Sequence, residues 1–185
     1  MASTFARTTA VLALGTGASR VLGLARTVML GVAIGITGSA AADAFAVANK
    51  LPNVMFAVVA AGVLNAALIP QIVRSFHQGR ERTVHRILTL GGFWILVVTA
   101  LLTVTAGLWV RVYSSGWGPE QTALATAFAL WCIPQLFFYG MYTLCGQVLN
   151  AREQFGPFMW APVLNNLLAI VGLAVYIVVF GPFDA

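Results

Sequence analysis

The chain has 185 residues, of which 60% are hydrophobic and 8% are charged, and its formal net charge is +5. A soluble domain carries about a quarter charged residues. This composition therefore excludes an ordinary soluble domain and predicts a helical integral membrane protein. The cations fall in loops and apolar segments, and no basic and aromatic motif typical of nucleic-acid binding is present. The positive charge is therefore better explained by membrane topology and by contacts with anionic lipid head groups than by nucleic-acid binding.

Five apolar segments are each long enough to cross ~30 Å of hydrocarbon as a helix. In a single transmembrane domain over 1–185, their expected bounds are about 8–36, 42–76, 87–110, 122–149 and 158–180. Polar connections are expected at 77–86, 111–121 and 150–157. A signal peptide is the alternative for the first segment, but the apolar run continues to Ile36, which argues against cleavage. The odd number of helices suggests a truncated chain.

The loop cations predict an orientation. One side carries Arg7, Arg74, Arg80, Arg82, Arg86 and Arg152, and the other side carries only Arg111. Cytoplasmic loops are enriched in arginine and lysine. The N-terminus is therefore expected in the cytoplasm.

The first segment contains two arginines, Arg20 and Arg26, in the stretch SRVLGLAR. Six residues of straight helix would point them about 120° apart, although Gly23 permits a kink that would turn both toward one cavity. Snorkelling to the membrane surface is the alternative. It accounts for Arg20 better than for Arg26, because a span starting at Thr27 would be too short.

The second segment carries a polar stripe. Counted from Asp43 at 100° per residue, Lys50 lies about 20° back, Asn53 about 80° back and Asn65 about 40° forward. Charged groups in a membrane helix cost roughly 2.5–3.5 kcal/mol each, so they usually face a bundle interior or a water-filled cavity. Pro52 predicts a kink, and a discontinuous helix at mid-membrane is typical of transport sites.

Structural alternatives exist for these residues. Asp43 suits the N-terminal cap of the second helix, and this role is compatible with a place in a cavity. Lys50 would snorkel only if that helix began late. Gln135, Tyr139, Tyr142 and the set Pro162, Asn165 and Asn166 favour hydrogen bonding between helices over ligand binding.

No catalytic or metal-binding pattern is present in the sequence. Cys132 and Cys145 are separated by about 20 Å of one predicted helix, too far for a disulfide. His77 and His85 lie in a polar loop. The sequence therefore predicts no enzyme, no metal and no cofactor. The membrane segments carry three cations, Arg20, Arg26 and Lys50, against Asp43, and such a cavity would attract a phosphate or pyrophosphate.

The stretches SRVLGLAR, ADAFAVANKLPN and GVLNAALIP resemble the start of the MurJ (MviN) family of lipid II flippases. The stretch IPQLFFYGMYTLCGQVLNAREQFGPFMWAPVLNN resembles that family's fourth and fifth helices. The resemblance covers most of the chain from Ser19 to Asn166. The family belongs to a superfamily of multidrug and polysaccharide exporters.

The resemblance implies about fourteen helices in two lobes around a cationic cavity, of which this all-α chain is most of the N-terminal lobe. It also implies alternating-access movement of an undecaprenyl-pyrophosphate-linked peptidoglycan precursor across the bacterial cytoplasmic membrane. The family's residues carry over to Arg20, Arg26 and Asp43. Thr27, Phe56, Ala57 and Ala61 depart from it, since members often have charged residues there.

The sequence thus predicts a flippase lobe in which Arg20 and Arg26 hold the pyrophosphate and Asp43 tunes or gates the cavity. Lys50, Asn53 and Asn65 complete the expected substrate-binding set. The expected partners are lipid II, membrane lipids and cell-wall synthesis proteins, with no nucleic acid. Two alternatives stay open: an exporter of another lipid-linked sugar or a drug, and a non-transporting membrane scaffold from a truncated gene.

Overall fold

The computed structural model describes the backbone of residues 2–35 and 39–181, and side chains from residue 13 onward except those at 61, 63, 65, 155, 158 and 159. Every secondary-structure element in these ranges is a helix, which confirms the all-α prediction. In chain order they are α1 (Ala2–Ile34), α2 (Ala40–Val59), a π-helical segment (Ala60–Leu68), α3 (Ile69–His77), α4 (Glu81–Val104), α5 (Ala106–Tyr113), α6 (Pro119–Cys132), α7 (Gln135–Ala151) and α8 (Phe155–Phe180).

The chain divides into two compact units. Unit 1 consists of Met1–Gly38 and Glu153–Ala185 and contains α1 packed against α8. Unit 2 is Ser39–Arg152 and contains the other helices. Most apolar side chains described on α1 and α8 are exposed.

Four helical stretches in the described residues are long and apolar enough to cross a membrane. They are Ala13–Ile34, Glu81–Val104, Pro119–Ala151 and Trp160–Phe180. The predicted second span forms a continuous helical run from Ala40 to His77, but it is broken into shorter pieces by the π-helical segment. The protein is therefore a multi-pass helical membrane protein.

The π-helical segment was not predicted from the sequence. Its wider turns are visible at its end, where the Ile69 N–H donates to the Leu64 carbonyl five residues earlier. Pro70 follows directly and has no N–H to donate to the residue four before it. A π-helical turn is often found at a functional site, and this one lies in the helix that carries the polar stripe.

Small side chains allow α2 to pack closely on α6 in unit 2. The buried residues of these two helices include Ala44 and Ala48 of α2 and Ala125 and Ala129 of α6. Phe45 meets Phe128 edge to face at 5.8 Å between ring centroids. Phe56 meets Tyr139 of α7 at the same distance. Phe56 follows Phe45 by eleven residues, and Tyr139 follows Phe128 by the same number, so the two contacts occur in the same order along both stretches. Helix α2 therefore runs parallel to α6 and α7.

Helix α4 runs antiparallel to α7, and glycines make their contact close. A Cβ atom built on Gly91 would lie 3.1 Å from Leu144 Cδ1, and one on Gly92 would lie 3.1 Å from Met141 Sδ. A Cβ atom on Gly140 would lie 2.7 Å from Ile95 Cδ1. Small residues at membrane helix interfaces let the backbones approach.

The predicted connections are shorter in the structure. The basic loop expected at 77–86 is reduced to Gln78–Arg80, because Gly79 turns the chain at a φ of +65° and α4 begins at Glu81. The buried Val84 and Ile87 explain this early start, since they continue the packed face of α4 into the basic region. The prediction was wrong for residues 81–86. The connection between the first two predicted segments, at 37–41, lies partly outside the described residues.

Candidate functional site

Helix α2 has two faces of opposite character. Ala44, Ala48, Leu51 and Met55 are buried in unit 2. The other face is uncovered by unit 2 and carries Asp43, Ala46, Lys50, Asn53 and Ala57, which we call the polar face of α2. These residues follow the three- and four-residue spacing of a single helix face. Unit 2 therefore leaves the stripe predicted at 43, 50 and 53 unpacked.

Asp43 lies in the first turn of α2 but does not cap it. Ser39 is the N-cap, and its side chain accepts a hydrogen bond of 3.0 Å from the Ala42 N–H. The capping role considered for Asp43 was wrong because the helix begins one turn earlier. Its exposed carboxylate still benefits from the positive end of the helix dipole. This leaves the carboxylate available to a ligand on the polar face.

Lys50 reaches an aromatic ring on another helix of unit 2. Its ammonium nitrogen lies 5.7 Å from the ring centroid of Tyr113, at the end of α5. This distance is within the ~6 Å range of a cation–π interaction. Because α2 begins at Ala40, Lys50 is ~15 Å along the helix and not at its start. Snorkelling of Lys50 was expected only if the helix began late, and α2 does not begin late.

Asn53 is exposed and hydrogen-bonded to its own helix. Its Nδ2 donates to the Asn49 carbonyl at 3.1 Å. The bond crosses Pro52, which is buried within α2 and does not end the helix. Asn65 belongs to the π-helical segment, and its side chain is outside the described residues.

In unit 1, the two predicted arginines have different surroundings. Arg20 is exposed and Arg26 is half-buried. Arg26 follows Ser19 by seven residues and so lies about 20° from it around α1. Asn166 of α8 donates a 3.0 Å hydrogen bond to the Ser19 carbonyl. Arg26 therefore lies on the side of α1 that meets α8, while Arg20 points about 120° away from Arg26.

The described part of each unit thus contains a subset of the predicted residues, but α1 does not bring Arg20 and Arg26 onto one face. Unit 1 contains Arg20 and Arg26, and its spans contain no other charged residue in the ranges described. Unit 2 contains Asp43, Lys50 and Asn53 on the polar face of α2. The described residues contain no cluster of three or more metal-ligating side chains.

The polar residues of the later helices divide between two uses. Asn166 makes the interhelical hydrogen bond predicted for its set, which confirms that prediction. Tyr139 instead donates to Gln135 Oε1 at 2.9 Å within α7. That bond stabilises the helix after the break at Pro134, where α6 ends and α7 begins.

Two residues near the predicted set were missed. Ser19 directly precedes Arg20 and lies on the same helix face as Gly23 and Arg26. This spacing could have identified Ser19 from the sequence. Tyr113 was not part of the expected substrate-binding set. Its contact with Lys50 depends on how α2 and α5 pack, which local sequence does not encode.

Four helical stretches of this length and apolarity define a multi-pass membrane protein, and a further helix, α2, exposes a charged face. Residues 32–184 match the family model described as lipid II flippase MurJ. The chain belongs to the MurJ lipid II flippase family. The match includes Asp43, Lys50, Asn53 and Asn65, whereas Arg20 and Arg26 precede it.

Individual relatives agree with this assignment. The chain is 31% identical over 173 residues to a probable lipid II flippase MurJ of Haemophilus influenzae, covering 86% of this chain and 33% of the relative. It is 31% identical over 166 residues to lipid II flippase MurJ of Burkholderia cenocepacia, covering 86% and 31%. A probable lipid II flippase MurJ of Vibrio cholerae is 29% identical over 168 residues, covering 83% and 31%.

The chain thus spans about a third of the length of the curated relatives that it matches. No solved structure matches it.

Proposed function

We propose that this chain forms part of the translocation pathway of a lipid II flippase in the bacterial cytoplasmic membrane. The protein would move the undecaprenyl-pyrophosphate-linked precursor by alternating access and would catalyse no chemical reaction. Family membership supports the substrate class. The observation that carries the proposal is the uncovered polar face of α2, in a helix whose opposite face is packed.

The energetic argument for a pathway starts from the cost of charge in lipid. A charged residue at the bilayer centre costs roughly 2.5–3.5 kcal/mol or more. Asp43 and Lys50 would incur a cost of this kind wherever the polar face of α2 met hydrocarbon. Water or a polar substrate beside that face removes the cost. Transport proteins place such residues along the substrate pathway.

The charges also suggest how the substrate is held. Arg20 and Arg26 each offer a planar guanidinium that forms two parallel hydrogen bonds with phosphate oxygens. Lys50 adds a point charge on the polar face, and Asp43 tunes or gates the site. Asn53 and Asn65 supply uncharged polar groups to the same pathway. The excess of loop arginines on one side of the membrane supports a cytoplasmic N-terminus.

The test is translocation of fluorescent lipid II by the full-length protein in proteoliposomes. We expect saturable transport that undecaprenyl pyrophosphate inhibits, and a loss of transport in the double variant Arg20→Ala with Arg26→Ala. The matched control is Arg80→Ala with Arg82→Ala, which removes the same charge at exposed positions and should transport normally.

Other results would support the alternatives. Transport of a neutral or cationic drug without lipid II movement would indicate a different exporter. A protein that moves none of these substrates but is retained by cell-wall synthesis proteins would be a scaffold. Either result contradicts the flippase proposal.

A further inference from the structure

Unit 2 has an open groove of about 720 Å³ between α5 and α6, and none of the described residues that line it belongs to the polar face of α2. Its walls include Gly107 and Arg111 of α5, Trp117 of the connection, and Thr122, Ala127 and Leu130 of α6. Ligand sites are typically about 300–1,000 Å³, so the groove is large enough for part of a lipid.

Small residues keep the groove open. A Cβ atom added to Gly107 would lie at an ordinary contact distance of 3.6 Å from Thr126 Cγ2, so the glycine leaves that space empty. Ala123 and Ala127 are one helical turn apart on the exposed side of α6 and leave space above it. Thr126 donates its hydroxyl to the Thr122 carbonyl at 2.8 Å, which satisfies the donor within the helix. The α6 wall is therefore mostly apolar.

One end of the groove is cationic. Arg111 is the only charged residue among the described residues that line it, and no lining residue is acidic. Trp117 lies beside the same cavity, and tryptophan is enriched where the hydrocarbon meets the head groups. From Thr122 to Leu130, the α6 wall extends ~12 Å, which is most of one ~15 Å leaflet. The groove thus has a cationic end and an apolar wall nearly as long as one leaflet is thick. These two features fit a single amphipathic molecule.

We propose that this groove binds one anionic phospholipid, with its phosphate at Arg111 and an acyl chain along Ala123, Ala127 and Leu130. The arginine selects a negative head group because its guanidinium pairs with phosphate oxygens. The apolar wall selects a lipid over free phosphate, since only an acyl chain would cover it. The site shares no residue with the polar face of α2, so it is separate from the proposed lipid II pathway.

Native mass spectrometry of the full-length protein tests this proposal. After delipidation, phosphatidylglycerol is added and its retention is compared with that of phosphatidylcholine. Arg111→Gln should weaken phosphatidylglycerol retention about fivefold, as expected for one arginine near an anionic lipid. Ala127→Leu should also reduce it by filling the groove. Arg80→Gln is the matched control because it removes an exposed charge elsewhere in unit 2 and should leave retention unchanged.

Three results would overturn the proposal. Retention could be the same in Arg111→Gln, Ala127→Leu and the unsubstituted protein. Glycerol phosphate, which has no acyl chain, could displace the lipid at equal concentration, which would indicate a phosphate site. An Ala127→Cys variant could resist a lipid-soluble maleimide in the full-length protein, which would show that protein covers the groove.

Discussion

Arg26 is the residue on which the proposed chemistry depends most. It is half-buried beside the α1–α8 contact and would pair its charge with a substrate pyrophosphate. In full-length protein, Arg26→Ala should abolish lipid II flipping and complementation of cell-wall synthesis while the protein level stays near normal. Arg26→Lys should recover part of the activity, because lysine keeps the charge but loses the paired hydrogen bonds.

A structural role for Arg26 would give a different pattern. If its partner were Asp43, Arg26→Ala would lower protein levels by leaving a carboxylate unpaired, and adding Asp43→Asn would restore them. Normal complementation by Arg26→Ala at normal protein level would contradict both roles.

The hydrogen bond from Asn166 to Ser19 gives a second prediction for single residues. Interhelical hydrogen bonds in membranes contribute about 0.6 kcal/mol on average and at most about 1.7. Asn166→Leu should therefore destabilise the protein by about that much in reversible unfolding in mild detergent. Asn165→Leu is the matched control because Asn165 is adjacent and exposed. Equal effects of the two substitutions would show that the bond adds no stability.

The sequence predicted individual polar residues better than their partners. Asp43, Lys50 and Asn53 were recognisable because a charged or amide side chain is rare in an apolar run. The contact between Lys50 and Tyr113 was not, since it joins helices distant in sequence. The cap at Ser39 was missed because polar Asp43 looked like an equally good start for the helix.

Among the helix contacts, the close approach of α4 to α7 can be tested directly. Gly140→Ala would place a methyl group 2.7 Å from Ile95 Cδ1 and 2.8 Å from its Cγ2, and Ile95 is fully buried. Overpacking of this kind costs about 1–3 kcal/mol. We expect a lower melting temperature, partly restored by adding Ile95→Ala. Gly172→Ala is the control, because a methyl group there meets nothing within 4 Å. Equal stability of the two alanine variants would contradict this packing.

Helix interruptions could be predicted only in part. Pro52, Pro134 and Pro162 are all visible in the sequence, but Pro134 separates two helices while Pro52 and Pro162 lie within α2 and α8. Each removes a backbone hydrogen bond. Whether the helix continues depends on packing by its neighbours. The π-helical segment could not be predicted for the same reason.

For the whole molecule, the charges at the two ends of unit 2 predict its orientation. One end has exposed Arg74, Arg80, Arg82 and Arg86, and Arg152 lies there with its guanidinium 5.9 Å from the Phe76 ring centroid. The other end has Arg111. In intact cells, an impermeant maleimide should label Ser115→Cys and leave Gln78→Cys unlabelled, since the basic end is cytoplasmic. The reverse pattern would contradict the orientation and the placement of the pathway.

Membrane class and helical fold followed from composition because an apolar, weakly charged chain has few alternatives. The division into two units did not, since it depends on which helices pack together. The predicted substrate-binding residues are divided likewise, with Arg20 and Arg26 in one unit and the polar face of α2 in the other.

The most direct test of the pathway is the water accessibility of the polar face of α2. Ala46 lies on this face, and Ala100 lies among exposed apolar residues of α4. Each is changed to cysteine in full-length protein lacking Cys132 and Cys145. A water-soluble maleimide is then applied to both sides of isolated membranes. We predict that Ala46→Cys is labelled, that lipid II slows the labelling, and that Ala100→Cys is not labelled. An Ala46→Cys variant that reacts only with a lipid-soluble maleimide would contradict the proposed pathway.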